Sequence, residues 1–167
     1  MKSQLRPQPR QAHSEGLDLS VQRDRDILQQ ARHLNAAAKC LPRVSEASLE
    51  EVALAASRGR QAVDTWRQAP VGQRAACLRH AAEMLQSRLP TFCALLVDEG
   101  RKTWPDAVAE VREAIDFLRY YAAEAERILS PTHLPAPWPG VTGEANTLTL
   151  HGRGMWVCIS PWNFPLA

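Results

Sequence analysis

The last fourteen residues, 154–167, constrain the fold more than any other stretch of this chain. Residues 155–159 form a short, almost wholly apolar run, which predicts a β-strand buried on both faces. The run ends in Ser-Pro-Trp-Asn-Phe-Pro, where two prolines remove backbone donors and fix φ. Ligands of open α/β sheets lie just outside the carboxyl ends of the strands. The sequence therefore predicts a strand that delivers a rigid loop to a binding site.

The composition fits one domain with an apolar core and gives no sign of a nucleic-acid partner. The chain has 167 residues, 45% of them hydrophobic, and a formal net charge of +2 from 20 basic and 18 acidic side chains. Such a balance creates no strong field toward nucleic acids or anionic membranes. The sequence contains no apolar run near the ~20 residues of a membrane span and no signal-peptide core. We expect a cytoplasmic protein without a transmembrane segment.

Apolar periodicity predicts five helices after a polar, disordered lead-in. Two of the helix starts carry caps: Ser20 for the first helix, and Ser48 with Glu51, which match a capping box, for the second. Pro70 ends the second helix, and Pro90 lies in the first turn of the fourth. The lead-in is expected at residues 1–16, the helices at 17–39, 48–70, 71–87, 90–97 and 104–129, and a break at 41–45.

The last of these helices has the most regular pattern. Its apolar positions recur at steps of three and four without a miss, which is typical of a helix that packs against neighbouring helices. A second apolar flank of Ala114, Phe117 and Tyr121 argues against a free-standing coiled coil. Thr103 and Asp106 suit its N-terminal end. The main stripe consists of Val108, Val111, Ile115, Leu118, Ala122, Ala125 and Leu129.

Strands are expected near the end of the sequence. Residues 130–143 carry four prolines and predict an extended connector. The segment 145–151 contains a strict alternation from 147 to 151, which predicts a strand with one face buried. Together with the run at 155–159, this predicts the α/β class, with a mostly helical N-terminal part and two or three strands at the end.

Asn163 is the first candidate for chemistry. A side-chain amide in a stiff, proline-flanked loop can donate a hydrogen bond to an oxygen that becomes negative, as in an oxyanion hole. Capping of a following helix and stabilisation of a turn are the alternatives. Cys158 lies inside the apolar run, where a thiolate is disfavoured, so we expect it to be an inert packing residue. The five histidines show no metal-ligand spacing, and no metal site is expected.

Carboxylates near the longest helix form a second group of candidates. Glu113 and Asp116 are three residues apart and share a helix face with Glu110. Paired carboxylates can perform acid–base catalysis, but helical carboxylates more often face solvent or pair with arginine. The same alternatives, acid–base catalysis or a side chain that faces solvent or pairs with arginine, apply to Glu99. The available arginine partners are Arg112, Arg119 and Arg127.

Residues 158–167, Cys-Ile-Ser-Pro-Trp-Asn-Phe-Pro-Leu-Ala, resemble the strand–loop signature of the aldehyde dehydrogenase superfamily. Residues 106–122, 143–146 and 152–154 resemble its glutamate-semialdehyde (pyrroline-5-carboxylate) dehydrogenase branch, in the version of bacterial bifunctional proline-utilisation enzymes. The resemblance covers roughly residues 14 to 167. It implies that residues 17–167 are the N-terminal part of an aldehyde dehydrogenase domain.

The resemblance assigns roles by position. It implies that Asn163 is the oxyanion-hole donor and that Phe164 and Glu113 contact the aldehyde substrate. It also implies NAD as the cofactor, a homo-oligomeric enzyme and an oligomerisation arm at residues 147–154. The implied contacts to NAD are Ile159, Ser160, Pro161 and Trp162.

The chain departs from the pattern of this family in two ways. The segment 99–103 reads Glu-Gly-Arg-Lys-Thr where the family more usually has Glu-Ala-Gly-Lys-Thr, which predicts a disturbed helix end. The family's catalytic cysteine, general-base glutamate and cofactor phosphate contacts would follow Ala167. The sequence therefore predicts a fragment of an NAD-dependent enzyme that oxidises L-glutamate 5-semialdehyde to L-glutamate and is inactive alone. A non-catalytic helical interaction or oligomerisation module is the alternative.

Overall fold

The computed structural model describes residues 13–37, 45–133 and 146–167. These residues form five helices and one antiparallel pair of two-residue strands, so the described chain is mostly helical. The helices are α1 (Gln22–Ala37), α2 (Leu49–Gln68), α3 (Val71–Ser87), α4 (Leu89–Asp98) and α5 (Trp104–Ile128). The strands are β1 (Thr132–His133) and β2 (Thr147–Leu148).

Local capping sets the bounds of the later helices, as predicted. The Ser48 side chain accepts a hydrogen bond from Glu51 N, and the Glu51 carboxylate accepts one from Ser48 N, which completes the capping box of α2. The Thr103 side chain likewise accepts from the backbone of Asp106 at the start of α5. Pro70 separates α2 from α3, and Pro90 lies in the first turn of α4.

The first helix begins later than predicted. Helix α1 starts at Gln22, and Ser20 is not its cap, because the Ser20 hydroxyl donates to the Asp18 carboxylate at 2.7 Å. The Ser20 N–H donates to the same carboxylate oxygen at 2.9 Å, and Val21 N–H donates to Asp18 O. Asp18 therefore closes a turn that occupies the predicted first turns of the helix. The predicted end of this helix at residue 39 and the break from 41 lie largely outside the described residues.

The core is a layer in which α5 packs against α3 and α4, and α4 also packs against α1. The apolar stripe of α5 is confirmed as core, with Val111, Ile115 and Ala122 fully buried. No other helix or strand packs against α2 in the described part of the chain, and its Val52, Leu54 and Trp66 are exposed. The buried cluster comprises Leu28, Ala82, Leu89, Cys93, Leu96, Ala107, Val108, Val111 and Ile115.

The lengths and the burial predicted for the strands are mostly wrong. Thr147 and Leu148 pair with His133 and Thr132, but both are exposed, so the predicted buried face is absent. Residues 155–159 form no strand, and Ile159 is 87% exposed. A parallel strand takes its hydrogen bonds from neighbouring strands, and the described residues place none beside this run. The predicted connector at residues 134–143 lies outside the described residues.

Among the residues that the structure describes, no helix combines the length and the apolar character needed to span a bilayer.

Candidate active-site loop

The loop of residues 160–167 carries the candidate oxyanion donor on a tight turn. Phe164 N donates to Pro161 O at 3.1 Å, so Trp162 and Asn163 occupy the central positions of a β-turn. Trp162 is 89% exposed, and Asn163 is exposed as well. Within the described part of the chain the Asn163 amide makes no hydrogen bond. Its two N–H donors are therefore available to a group outside this part.

Glu110 of α5 fixes the end of this loop. The Glu110 residue is only 2% exposed, and its Oε1 accepts from Leu166 N at 2.8 Å and from Ala167 N at 3.3 Å. The Leu166 side chain also packs against the helical core. Hydrogen bonds from backbone N–H groups to an ionised carboxylate are among the stronger ones in proteins. The loop is therefore attached to α5 by hydrogen bonds and to the helical core by the Leu166 side chain.

Lys102 holds the same loop from a second direction. Its ammonium group, which is mostly buried, forms an ion pair with Oε2 of Glu110. The same Nζ lies 4.4 Å from the centroid of the Phe164 ring, within the range of a cation–π interaction. Burial by itself raises the pKa of the Glu110 carboxyl, but Lys102 and the two backbone donors hold that pKa below its ordinary value. Glu110 is thus a buried, compensated carboxylate.

The predicted site residues divide into those that meet at this loop and those that do not. Ser160, Pro161 and Trp162 precede Asn163 on the loop, and Phe164 lies against Lys102. Glu113 is exposed on α5, whereas Glu110 is the carboxylate that reaches the loop. A cleft of about 330 Å³ separates the loop from the end of α4. It is lined by Phe92, Leu95, Leu96, Glu99, Gly100, Trp162, Pro165 and Leu166.

The cysteines differ from the prediction. Cys158 is exposed, not packed in an apolar strand, because residues 155–159 pair with no other strand of the described chain. Cys93 of α4 is the buried thiol instead, and burial raises its pKa to about 12. A thiol with such a pKa stays protonated near neutral pH and is a poor nucleophile.

The role of Glu110 at the loop was not predicted from the sequence, although Glu110 was among the candidate carboxylates. A signal was present in the sequence, because Ala107 and Glu110 continue the second apolar flank of α5 toward its N-terminus. The steps from Ala107 to Glu110, Ala114 and Phe117 are three, four and three. Ala107 and Ala114 are buried, so a carboxylate between them must be buried too and must have partners. Which partners it has depends on Lys102 and residues 166–167, and periodicity does not place these.

Comparison with known proteins identifies the family of this chain. A model described as the aldehyde dehydrogenase family matches residues 26–167. This chain belongs to the aldehyde dehydrogenase family, which confirms the resemblance inferred from the loop signature.

Two relatives and one solved structure show which members of the family this chain is similar to. The bifunctional protein PutA of Rhizobium meliloti is 48% identical over 97 residues, which cover 58% of this chain and 6% of that protein. The 1-pyrroline-5-carboxylate dehydrogenase 2 of Bacillus subtilis is 38% identical over 125 residues, or 75% of this chain and 24% of that protein. A crystal structure of bifunctional proline utilization A superposes with a TM-score of 0.86 at 41% identity and covers 96% of this chain and 16% of its own. The chain thus spans a quarter or less of the length of these proteins.

Proposed function

We propose that this chain is the N-terminal part of an NAD-dependent aldehyde dehydrogenase that oxidises L-glutamate 5-semialdehyde to L-glutamate in proline catabolism. The observation that carries the proposal is the loop of residues 160–167 held on α5, with the Asn163 amide exposed on its turn. Relatives whose names refer to pyrroline-5-carboxylate and proline utilization support the choice of substrate. No contact in the described structure favours the alternative of a non-catalytic interaction module.

The residues proposed to contact NAD are compatible with that role. Ile159 and Trp162 expose most of their apolar surface, and Ser160 and Pro161 lie between them. Exposed apolar side chains beside a hydroxyl can pack against the adenosine and ribose side of a dinucleotide. When bound, NAD accepts the hydride that leaves the aldehyde carbon.

Asn163 would act on the oxygen of the aldehyde. When a thiolate attacks the carbonyl carbon, the carbonyl oxygen becomes negative, and a fixed amide N–H lowers the energy of that charge. Phe164, beside Asn163, would pack against the aliphatic part of the semialdehyde, and Glu113 would approach its charged end. Cys93 does not fit the role of nucleophile, because its thiol is buried and protonated.

We further propose that the 167 residues alone are inactive, because the part of the chain that the structure describes supplies the oxyanion donor without an activated thiol. In the complete enzyme we expect a homo-oligomer in which residues 147–154 belong to the arm between subunits. The exposure of Thr147 and Leu148 on β2 supports that placement. The expected result for the purified chain with NAD and L-glutamate 5-semialdehyde is no NADH formation, and measurable NADH would disprove this part of the proposal.

The substrate proposal is tested with a chimera. The segment of the Bacillus subtilis 1-pyrroline-5-carboxylate dehydrogenase 2 that matches this chain is replaced by the chain's own residues, and NADH formation is followed with L-glutamate 5-semialdehyde and with a neutral aliphatic aldehyde. We expect activity with the semialdehyde in preference to the neutral aldehyde. A chimera that folds but oxidises neither compound, or prefers the neutral one, would contradict the proposal.

Two substitutions in the chimera test whether Asn163 takes part in catalysis and Cys158 does not. Asn163→Ala removes the oxyanion donor and should lower kcat by about 10²- to 10³-fold. Cys158→Ser is the matched control near the loop, because it removes an exposed thiol that the proposed mechanism does not use. It should leave kcat unchanged, and loss of activity in a folded Cys158→Ser chimera would contradict a mechanism that does not use this thiol.

A further inference from the structure

The turn that carries Asn163 lies between two fixed points of the backbone. On one side, the Phe164 N–H to Pro161 O hydrogen bond closes the turn. On the other side, Leu166 N–H is bound to the Glu110 carboxylate. Pro165 lies between these points, and its ring fixes one more backbone angle. Because the segment between Glu110 and the turn is short and stiff, the position of Glu110 constrains the position of Asn163.

We propose that Lys102 and Glu110 are a positioning pair for the Asn163 amide. The inference rests on the proposed function, in which Asn163 donates to the oxyanion. Neither side chain of the pair is proposed to touch the substrate. Their contribution is to hold the turn so that the amide is already placed when charge develops on the aldehyde oxygen, which is where fixed donors are most effective.

The geometry assigns a separate task to each member of the pair. Glu110 accepts two backbone N–H groups from the end of the loop through one oxygen, and its other oxygen pairs with Lys102. Lys102 in turn lies over the ring of Phe164, the residue directly after Asn163. The loop is thus held at its backbone by the carboxylate and at its neighbouring aromatic ring by the ammonium.

The position of Lys102 is itself set by the helix end before it. Arg101 has a φ of 55°, in the left-handed region, and Lys102 N donates to Leu96 O at 3.2 Å. This reversal after α4 brings the lysine back toward α5. The Glu110 side chain without Lys102 would be a buried charge with one oxygen uncompensated, which is unfavourable. The pair therefore operates as a unit.

A purely structural ion pair would stabilise the helices without affecting the turn. The proposal differs, because it expects the helical core to remain while the turn loosens. Glu110→Gln keeps a carbonyl acceptor for Leu166 N–H but removes the charge, and Lys102→Met keeps the aliphatic stem without the ammonium. Glu83→Gln is the matched control, because Glu83 is an exposed glutamate on α3.

The first measurement uses the 167-residue chain. Amide hydrogen exchange of Leu166 is followed by NMR, with circular dichroism as the check on helix content. We expect Glu110→Gln and Lys102→Met to lower the protection of Leu166 N–H by about tenfold, because a charge-assisted hydrogen bond is weakened. Glu83→Gln should leave it unchanged. Unchanged protection in both loop variants, with helices intact, would overturn the proposal.

The second measurement uses the chimera described above. Glu110→Gln and Lys102→Met should lower kcat by about tenfold or more and leave KM within about twofold, because the loss is in stabilisation of the transition state. Lys102→Arg and Glu110→Asp keep the charges and should recover part of the lost kcat. These two variants also test the pair if the neutral variants fold poorly. A change confined to KM, or no recovery, would contradict a positioning role. If the unsubstituted chimera is inactive, the proposed function fails and the catalytic role of the pair with it, whereas exchange still decides whether the pair anchors the loop.

Discussion

Asp116 of α5 accepts two hydrogen bonds from Ser14, one from its backbone N–H at 2.8 Å and one from its hydroxyl at 3.0 Å. Ser14 is 5% exposed, and the next residue, Glu15, donates its N–H to Gln86 of α3 at 2.9 Å. The segment before α1 is therefore attached to the two helices that form the centre of the core. The disordered lead-in predicted to extend through residue 16 does not fit residues 13–16, and residues 1–12 lie outside the described part.

Substitution of Ser14 or Asp116 should destabilise the chain by different amounts. Ser14→Ala removes one hydrogen bond and should cost about 1 kcal/mol of the free energy of unfolding. Asp116→Ala removes both and leaves the Ser14 N–H buried without a partner, so it should cost about 2 kcal/mol. Urea denaturation measures both values. Glu113→Ala, at an exposed position of the same helix, is the control, and equal losses in all three variants would contradict the assignment.

Cys93 should resist thiol reagents that modify the exposed cysteines. With its pKa raised to about 12 by burial, very little Cys93 is present as the reactive thiolate at pH 8. Cys77 and Cys158 are exposed. Iodoacetamide labelling followed by peptide mass mapping should find these two modified in the native chain and Cys93 modified after denaturation in urea. Labelling of Cys93 at a similar rate under native conditions would show that α4 is not buried as described.

Glu110 should make stability depend on pH in the acid range. Burial acts to raise its pKa, but Lys102 and the backbone donors leave it below the value of 4.5 expected for the unfolded chain. The stabilisation is therefore fully present above that value and is lost as the pH falls through the folded-state pKa. Urea unfolding of the original chain and of Glu110→Gln should show a difference in stability that shrinks as the pH falls below 4.5 and through the folded-state pKa. A difference that stays constant with pH would refute the ion pair.

Arg101→Gly should stabilise the chain. Arg101 is exposed and has a φ of 55°, a conformation that costs a non-glycine residue about 1–2 kcal/mol. Part of this gain is offset by the greater freedom of glycine in the unfolded chain, so we expect about 1 kcal/mol. Arg101→Ala keeps the strain while removing the side chain, and it should give no gain in thermal or urea denaturation. Equal gains in both variants would mean that the strain is not the cause.

The order Gly100-Arg101 after α4 places the positive φ on a residue other than glycine. The resemblance described above implies alanine followed by glycine where this chain has Gly100 and Arg101. A Cβ on Gly100 would lie 2.8 Å from Leu96 O, so the glycine prevents a collision with the helix end. Arg101 then takes the left-handed conformation. The predicted disturbance of the helix end is present, and it lies in the turn immediately before Lys102.

Helix boundaries were predictable here because their causes are local. Ser48 with Glu51, Thr103 and the prolines at 70 and 90 act within one turn of the helix that they limit. The start of α1 was not predicted, because Asp18 competes for the hydroxyl of Ser20. That competition depends on the conformation of the preceding turn, which the apolar pattern does not specify.

Elements that depend on distant partners were predicted less well. Residues 155–159 have the composition of a buried strand, but a strand exists only where another backbone supplies the ladder hydrogen bonds. The loop signature was read correctly as far as the family, because its residues are specific. The attachment of that loop to Glu110 spans 56 residues in sequence, and no local pattern could indicate it.

The isolation of α2 has a consequence for how the chain unfolds. Since no other helix or strand of the described chain packs on it, breaking α2 removes few contacts made by the rest. Apart from the Met155 side chain, which lies against Gly59, its 20 residues are held mainly by internal backbone hydrogen bonds and by the Ser48–Glu51 cap. Most of the helix thus lacks the tertiary packing from which protein helices gain most of their stability. We therefore expect two cooperative units of unfolding. Helix α2 opens and closes as a separate unit at low free energy, while α3, α4 and α5 unfold together.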